Sequence, residues 1–332
     1  MDCTDRAAKD GQKKLTVIYG DCTLGVRGSA KGKMFHYIFS YQTGGPESIN
    51  IDGREWLYRT PKPVFWRALT DNDRGSGFHL KSGIWMSADL FMDCVGIEVS
   101  ADGKDMPLPI APENNRFGGE VSADNIRIAF TYETITSPET NVKVIYEVDS
   151  CGRIHVAAEY KGKEGLPELP VFGMRFIMPT RAAGYRYEGL SGETYPDRKA
   201  GGRKGVYDVE GLPVTPYLVP QDCGMHMDTR WVEIYRDSVL DNSRKEICRY
   251  GLKFAAADEN FAFSCLPYTA QELENATHQE ELPPARRTVL CIYGAVRGVG
   301  GIDSWGRDVE EPYRVSAELD IRFSFDIILQ DN

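Results

Sequence analysis

The sequence is dominated by apolar residues that recur at every second position. Aromatic residues occupy alternate positions from Phe35 to Tyr41, and apolar residues do the same at 126–132, 142–148, 154–160 and 319–327. Successive side chains of a strand point to opposite faces of a sheet, so this spacing is typical of strands with one buried face. The spacing therefore predicts an all-β chain.

Turns and helix signals refine this prediction. A turn at Asp149–Gly152 joins two alternating segments, which predicts a long hairpin. Spacings of three and four predict one amphipathic helix, and Thr269 with Glu272 has the spacing of a capping box that opens a second, short helix. Strands do not alternate with helices, so we expect one large antiparallel sandwich with one or two short helices. The apolar positions of the amphipathic helix are Leu80, Ile84, Ala88, Phe91 and Val95.

The chain is predicted to form one domain. Residues 1–13 are expected to be a flexible polar tail, and 14–332 the folded domain. The segment Pro107–Gly119 is rich in proline and glycine, but the strands on both sides have the same character. A long loop is therefore favoured over a domain boundary.

Charge and composition exclude several classes of function. The net charge of −10 argues against nucleic-acid binding by a basic surface. No run of 18 apolar residues and no apolar leader occur, so we expect a cytoplasmic protein without a membrane span. There is no C-x-x-C, and no histidine pair has i, i+4 spacing, so no metal site is expected.

Three segments lack strand or helix periodicity and are dense in glycine, aromatic and polar residues. They are residues 65–78, 189–202 and 298–306. Each has a simple structural interpretation: an Asx-rich turn, a surface connection, and a tryptophan that plugs the core. The functional alternative for the third is a sugar-binding platform, because the apolar face of a pyranose packs well on indole. The Asp-x-Asp pair of the first lacks the acidic residue that a calcium loop needs at its end.

Four motifs in order carry a family resemblance that covers roughly residue 15 to the C-terminus. RALTDNDRGSGF, GLSGETYPDR, YLVPQDCGMH and VRGVGGIDSW resemble the C-terminal domain of the long β-galactosidases of glycoside hydrolase family 2. They are still more similar to the separate small subunit of the two-chain enzymes of that family. This resemblance implies the antiparallel β-supersandwich that is also used by the galactose mutarotases.

The resemblance also implies a division of labour between two chains. In the family, a (β/α)₈ barrel carries both catalytic glutamates and the Mg²⁺ and Na⁺ ligands. Retaining hydrolysis requires two carboxylates that flank the glycosidic bond, and this chain has no barrel pattern. The resemblance thus implies a large-subunit partner and β-galactosides such as lactose, with transgalactosylation to acceptor sugars. No catalytic residue or metal ligand is assigned to this chain.

Individual residues match the family motifs. Trp305 matches the tryptophan that stacks on the sugar in the aglycone or acceptor subsite. Gly75 matches the glycine of a mobile active-site loop, where an alanine would restrict the backbone if φ were positive. This sequence departs from the family pattern at Arg74, where an aliphatic residue is usual, and at the additional Gly77. The remaining loop residues are Asp71, Asn72, Asp73 and Ser76, and the supporting residues are Asp303, Ser304, Glu193, Tyr195 and Arg198.

Two other functions are compatible with a β-sandwich. An autonomous aldose epimerase would need a histidine and a carboxylate across a cleft as general acid and base, with His155 and His226 as candidates. A non-catalytic carbohydrate-binding module would use an exposed aromatic platform but would leave the Asp-Asn-Asp-Arg-Gly loop without a role.

Overall fold

A computed structural model describes residues 14–108, 121–240, 243 and 248–330. The predicted tail, 1–13, lies outside the described residues, as does most of the 107–119 segment. The described chain forms 21 strands in three sheets, and all neighbouring strands are antiparallel, which confirms the all-β prediction.

The largest sheet has ten strands and forms one whole layer of the molecule. Its order across the sheet is β15 (Lys204–Glu210), β14 (Gly184–Leu190), β17 (Trp231–Arg236), β18 (Tyr250–Ala256), β21 (Ile321–Ile328), β12 (Ile154–Tyr160), β11 (Asn141–Asp149), β10 (Asn125–Glu133), β7 (Asp93–Ala101) and β8 (Lys104–Met106).

The two smaller sheets contain the remaining strands. The six-stranded sheet has the order β5 (Arg54–Glu55), β4 (Gly45–Ile51), β3 (Lys33–Ser40), β2 (Thr23–Ala30), β1 (Leu15–Tyr19) and β9 (Val121–Ala123). The five-stranded sheet has the order β16 (Met225–Thr229), β19 (Phe261–Leu266), β20 (Thr288–Val296), β13 (Val171–Met178) and β6 (Arg59–Val64).

Both smaller sheets pack on the same face of the ten-stranded sheet. Phe39 of β3 lies 5.6 Å from Tyr146 of β11 between ring centroids. Phe176 of β13 lies 6.0 Å from Phe325 of β21. Tyr146 and Phe325 are both paired with Val156 and therefore point to one side of the sheet. One continuous aromatic and aliphatic core results, as expected for a large sandwich.

The predicted strands agree with the observed ones. The hairpin joins β11 and β12, with Val142 opposite Tyr160 and Val148 opposite Ile154. The final strand is β21, although it begins at Ile321 and excludes Leu319. Because the buried residues follow the predicted period of two, one face of each strand is fixed by hydrophobic burial.

Helices are short. The described α-helices are α1 (Asp71–Gly75), α2 (Phe78–Ser82) and α3 (Ala270–Asn275). The described chain thus has three short α-helices where one or two were predicted. The 3₁₀ turns are Gly83–Trp85, Gln279–Glu281 and Glu311–Tyr313. The capping box of Thr269 and Glu272 is present at the start of α3, which confirms that prediction.

The prediction of an amphipathic helix from Leu80 to Val95 is wrong. Helix α2 ends at Ser82, and strand β7 begins at Asp93. Ser87 has φ of 64°, a left-handed conformation that a continuous helix does not allow. Of the five apolar positions, only Ala88 is buried, while Leu80, Ile84, Phe91 and Val95 are exposed.

Candidate functional site

The three aperiodic segments meet at one end of the sandwich. They follow β6, β14 and β20 in the chain. The Asn72 amide Nδ2 donates to the Val299 carbonyl oxygen at 3.0 Å, which joins the first segment to the third. The Asp197 carboxylate accepts from the backbone N–H groups of Val299 and Gly300, which joins the second to the third. Segments chosen from composition alone are therefore neighbours in space.

The Asp-Asn-Asp residues of the first segment form helix α1. Thr70 caps its N-terminus, and its hydroxyl accepts from the Asp73 N–H at 3.2 Å. The Asp73 carboxylate accepts in return from the Thr70 N–H at 2.9 Å. This reciprocal pair satisfies donors at the helix start and fixes the loop where it leaves β6.

Asp73 is the centre of a buried ion cluster. Its carboxylate lies 2.6 Å from the Arg67 guanidinium and 3.3 Å from that of Arg297, and all three side chains are buried. Arg297 also pairs with Asp308 and, at 3.3 Å, with Glu168. Burial alone would raise the pKa of Asp73, but the adjacent Arg67 cation and the hydrogen bonds hold it below its usual range. The Asp73 carboxylate is therefore bound by groups of this chain, namely the two arginines and Thr70.

The other loop residues lie nearer to solvent. Asp71 is exposed, and its backbone N–H donates to the Gln221 side chain at 2.8 Å. The Ser76 hydroxyl donates to the Asp73 carbonyl oxygen at 3.2 Å, so Ser76 closes the end of α1. Of the predicted loop residues, Asp71 and Asn72 present polar groups at the surface, whereas Asp73 and Ser76 stabilise the loop.

The glycine with the constrained backbone is Gly77. Gly75 ends α1 without a positive φ, and a Cβ added there would meet nothing within 4 Å. An alanine at Gly75 would therefore not be restricted by a positive φ, whereas Gly77 has φ of 71°. The tight contact of Gly75 is through its carbonyl oxygen, which lies 2.6 Å from a Cβ built on Gly306. The tryptophan segment thus lies directly against this loop.

These two glycines should respond oppositely to alanine. Gly75→Ala should stabilise the chain by up to about 1 kcal/mol, because alanine is the better helix former. Gly77→Ala should destabilise it by about 1–2 kcal/mol, because alanine is strained at positive φ. Urea unfolding of both variants measures the difference. Equal effects of the two substitutions would contradict this assignment.

Trp305 is presented to solvent. Its side chain is 91% exposed, which rules out the interpretation that it plugs the core of this chain. The Asp303 carboxylate accepts from the N–H groups of Trp305 at 2.9 Å and Arg307 at 3.3 Å, so it fixes the turn. Ser304 lies in the same exposed turn. The indole face is therefore available for contact.

The GETYPDR motif supports this end of the molecule from beneath. Arg198 donates to the Gly300 carbonyl oxygen. Glu193 accepts from the Thr215 hydroxyl at 3.0 Å and the Gly224 N–H at 2.8 Å. The buried Tyr195 hydroxyl donates to Asp222 at 2.8 Å. These contacts are within the chain, in keeping with a supporting role for the motif.

Asp222 is not a candidate by its sequence alone, although it lies in YLVPQDCGMH, one of the motifs that carry the family resemblance. Burial raises the pKa of Asp222 to about 7, against the opposing attraction of Arg67. Neighbouring Gln221 holds Asp71 through both its amide atoms, at 2.8 and 3.3 Å. This segment is therefore a fourth component of the site. A composition search misses it because it contains few glycines.

The raised pKa of Asp222 predicts a specific dependence of stability on pH. An unfolded aspartate releases its proton near pH 4, whereas folded Asp222 keeps it to about pH 7. The contribution of Asp222 to stability should therefore fall as the pH rises through this window, by up to about 1.4 kcal/mol per pH unit. Asp222→Asn should remove this contribution, since the amide oxygen still accepts from Tyr195.

The measurement is the free energy of unfolding of both proteins at several pH values from 4 to 7.5. Burial lowers the pKa of His226 to about 4, which gives a slope of the opposite sign, but this cancels between the two proteins. Parallel pH profiles for wild type and variant would refute the assignment.

The two candidate histidines of the epimerase alternative lie in ordinary structural settings. His155 on β12 pairs with Asp326 on the adjacent strand β21, with Nδ1 2.8 Å from the carboxylate. His226 is buried against Tyr185, Tyr187 and Phe263. Neither is placed across a cleft from a carboxylate.

No group of three or more His, Cys, Asp or Glu side chains among the described residues is arranged to hold a metal ion. None of the helices in the described part of the chain has the length and apolar character needed to cross a bilayer.

The sequence is similar to a family model and to known proteins that are described as β-galactosidases or as their small subunit. The family model described as "Beta galactosidase small chain" matches residues 31–327. The "Beta-galactosidase small subunit" of Latilactobacillus sakei is 62% identical over 315 residues, which are 95% of this chain and 98% of that one. A "Beta-galactosidase" of Halalkalibacterium halodurans is 33% identical over 96% of this chain, but over only 29% of its own length. One of Streptococcus thermophilus is 30% identical, with 94% of this chain and 27% of its own length covered.

The solved structures to which the chain is similar are much more distant in sequence. A galactose mutarotase-like protein from Lactobacillus casei has a TM-score of 0.41 at 10% identity, over 92% of this chain and 100% of that one. A galactose 1-epimerase from Lactobacillus acidophilus has a TM-score of 0.36 at 11% identity, over 96% of each chain.

Proposed function

The chain belongs to the β-galactosidase small chain family, and on this premise we propose that it is the small subunit of a two-chain β-galactosidase of glycoside hydrolase family 2. The observation that carries the proposal is the 62% identity to a β-galactosidase small subunit over nearly the full length of both chains. The long β-galactosidases support it, because this chain spans less than a third of their length. We propose that the remaining two thirds correspond to a separate large subunit.

The reaction we propose is retaining hydrolysis of terminal β-D-galactosides such as lactose, with transfer of galactose to acceptor sugars. Such a reaction needs an acid and a nucleophilic carboxylate about 5 Å apart across the bond. The two buried carboxylates near the site are unsuited, since Asp73 is neutralised by arginines and Asp222 is engaged with Tyr195. We therefore assign both catalytic glutamates, and the Mg²⁺ and Na⁺ sites, to the (β/α)₈ barrel of the partner.

The contribution of this chain is to complete the site from one side. The exposed Trp305 would stack on the leaving or acceptor sugar, with its turn fixed by Asp303. The α1 loop would line the same rim, where Asp71 and Asn72 are exposed. The bond from Asn72 to Val299 links the two elements, so movement of one would be transmitted to the other.

Reconstitution tests this function. Purified alone, neither this chain nor the large subunit should hydrolyse nitrophenyl galactoside at more than a small fraction of the rate of the mixture. The complex should bury on the order of 2,000 Å² or more, as obligate interfaces do. Robust hydrolysis by this chain alone would contradict the proposal. Mutarotation of galactose by this chain alone would instead support the epimerase alternative.

A further inference from the structure

The segment that follows α1 and runs into β7 has large apolar side chains both in the core and at the surface. Phe78, Trp85 and Ala88 face the core and are buried. Between them, the segment exposes a second set of large apolar side chains, and Leu80 is 82% exposed and Phe91 61% exposed. An exposed group of large apolar side chains is typical of a surface that a partner covers. The exposed set, here called the outer apolar surface, is Leu80, Ile84, Met86, Leu90, Phe91 and Val95.

Three charged residues lie in the segment of the outer apolar surface, and two of them are paired within the chain. Lys81 is held by Asp308, with Nζ 2.9 Å from the carboxylate. Asp89 is turned inward, where it is buried and lies 2.6 Å from Arg175. The charges of both residues are thus paired within the chain. The third charged residue of the segment, Asp93, is exposed beside Val95, so a partner covering this surface would also have to accommodate that carboxylate.

The outer apolar surface adjoins the candidate site. The Lys81–Asp308 ion pair ties α2 to the segment that carries Trp305. Gly306 lies against the Gly75 carbonyl oxygen, at the end of the helix that precedes α2. A partner seated over Trp305 would therefore meet the outer apolar surface at the same time.

We propose that the outer apolar surface is the docking surface for the large subunit, an inference that rests on the function proposed above. The long relatives identify this occupant, because they carry the equivalent of this chain as 27–29% of one polypeptide. The surface on which the rest of such a polypeptide packs becomes uncovered when the domain is made as a separate chain. The partner surface should accordingly be apolar and lie beside its sugar-binding cleft.

Charged substitutions test the proposal. Leu80→Lys and Phe91→Lys place a charge in the proposed contact, and both side chains are exposed enough for the isolated chain to fold normally. Leu319→Lys is the matched control, because Leu319 is 67% exposed but lies in the turn before β21. We expect the Kd for the large subunit to rise at least tenfold for each of the first two variants, and by less than threefold for the control.

Three measurements decide the outcome. Circular dichroism should show unchanged folding of the isolated variants, and sedimentation or calorimetry gives the Kd. At saturating large subunit, kcat should return to near the wild-type value, since these residues would not touch sugar. If the wild-type chain fails to activate the large subunit, the proposed function itself is wrong.

If wild type activates but both lysine variants bind within threefold of it, the docking surface alone is refuted. A self-associated wild-type chain that Phe91→Lys dissociates, with unchanged affinity for the large subunit, would also overturn the proposal. In that case a second copy of this chain would cover the surface.

Discussion

Replacement of Asp73 by asparagine should lower the free energy of unfolding by about 3–5 kcal/mol, the usual effect of removing one partner of a buried ion pair. The Arg67 and Arg297 guanidinium groups would then lose the carboxylate that lies 2.6 and 3.3 Å from them. Arg297 would keep Asp308 and Glu168, whereas Arg67 would keep hydrogen bonds only to the carbonyl oxygens of Ala68 and Gly298, with the Asp222 carboxyl as its remaining acidic neighbour. A buried guanidinium that has lost its hydrogen-bonded carboxylate is the source of the loss.

Asp71→Asn is the matched control for this experiment, because Asp71 lies two residues away on the same short helix. Its side chain is 71% exposed and pairs with Arg74 only at 3.4 Å. Surface pairs of this kind contribute about 0–1 kcal/mol, so the control should unfold almost as wild type does. Chemical denaturation of the isolated chain measures both variants.

The outcome also separates two roles for Asp73. If it stabilises the loop, Asp73→Asn lowers stability and should perturb every property that depends on the loop. If it is instead a substrate contact, the variant should keep its stability and lose only activity in the complex. Because its folded pKa is lowered, the stability that Asp73 provides should be present above the carboxylate range and lost as the pH falls through it. A wild-type stability for Asp73→Asn would contradict the ion-cluster assignment.

Strands could be predicted from the sequence because each signal is local. A period of two fixes which side chains are buried, and the hairpin of β11 and β12 follows from two such runs and a turn. The three aperiodic segments could be chosen for a similar reason, since loops that carry function differ in composition from strands. That they meet in space could not be derived from the spacing, because contacts between segments far apart in the chain depend on the tertiary structure.

Two features were beyond sequence reasoning for physical reasons. The 80–95 segment has both buried and exposed apolar residues, and the exposed ones happen to have helical spacing. This spacing predicts an amphipathic helix with a buried apolar face, but these residues form no continuous helix and most of them are exposed. The ion cluster of Arg67, Asp73 and Arg297 joins residues more than 220 positions apart. No periodic or local pattern marks such a cluster, and only the tertiary structure shows that Asp73 is an internal counter-ion.

Trp305 should have its largest effect on the choice between acceptor sugar and water. Stacking of a pyranose on indole should bury roughly 40–80 Å² of apolar surface, which at about 25 cal/mol per Å² is roughly 1–2 kcal/mol. This corresponds to about 5- to 30-fold in affinity. Trp305→Leu in the reconstituted enzyme should weaken glucose as an acceptor by that factor. Transgalactosylation should fall relative to hydrolysis.

The control for Trp305→Leu is Trp56→Leu. Trp56 is buried and lies just before β6, at the other end of that strand from the site. Loss of its contacts should lower stability by a few kcal/mol and leave the glucose-to-water partition ratio unchanged. Trp305→Leu should do the reverse, because 91% of its side chain is exposed and few contacts are lost. If the Trp305→Leu enzyme divides galactose between glucose and water as the wild type does, Trp305 is not a platform for the acceptor sugar, and this part of the proposed function is wrong.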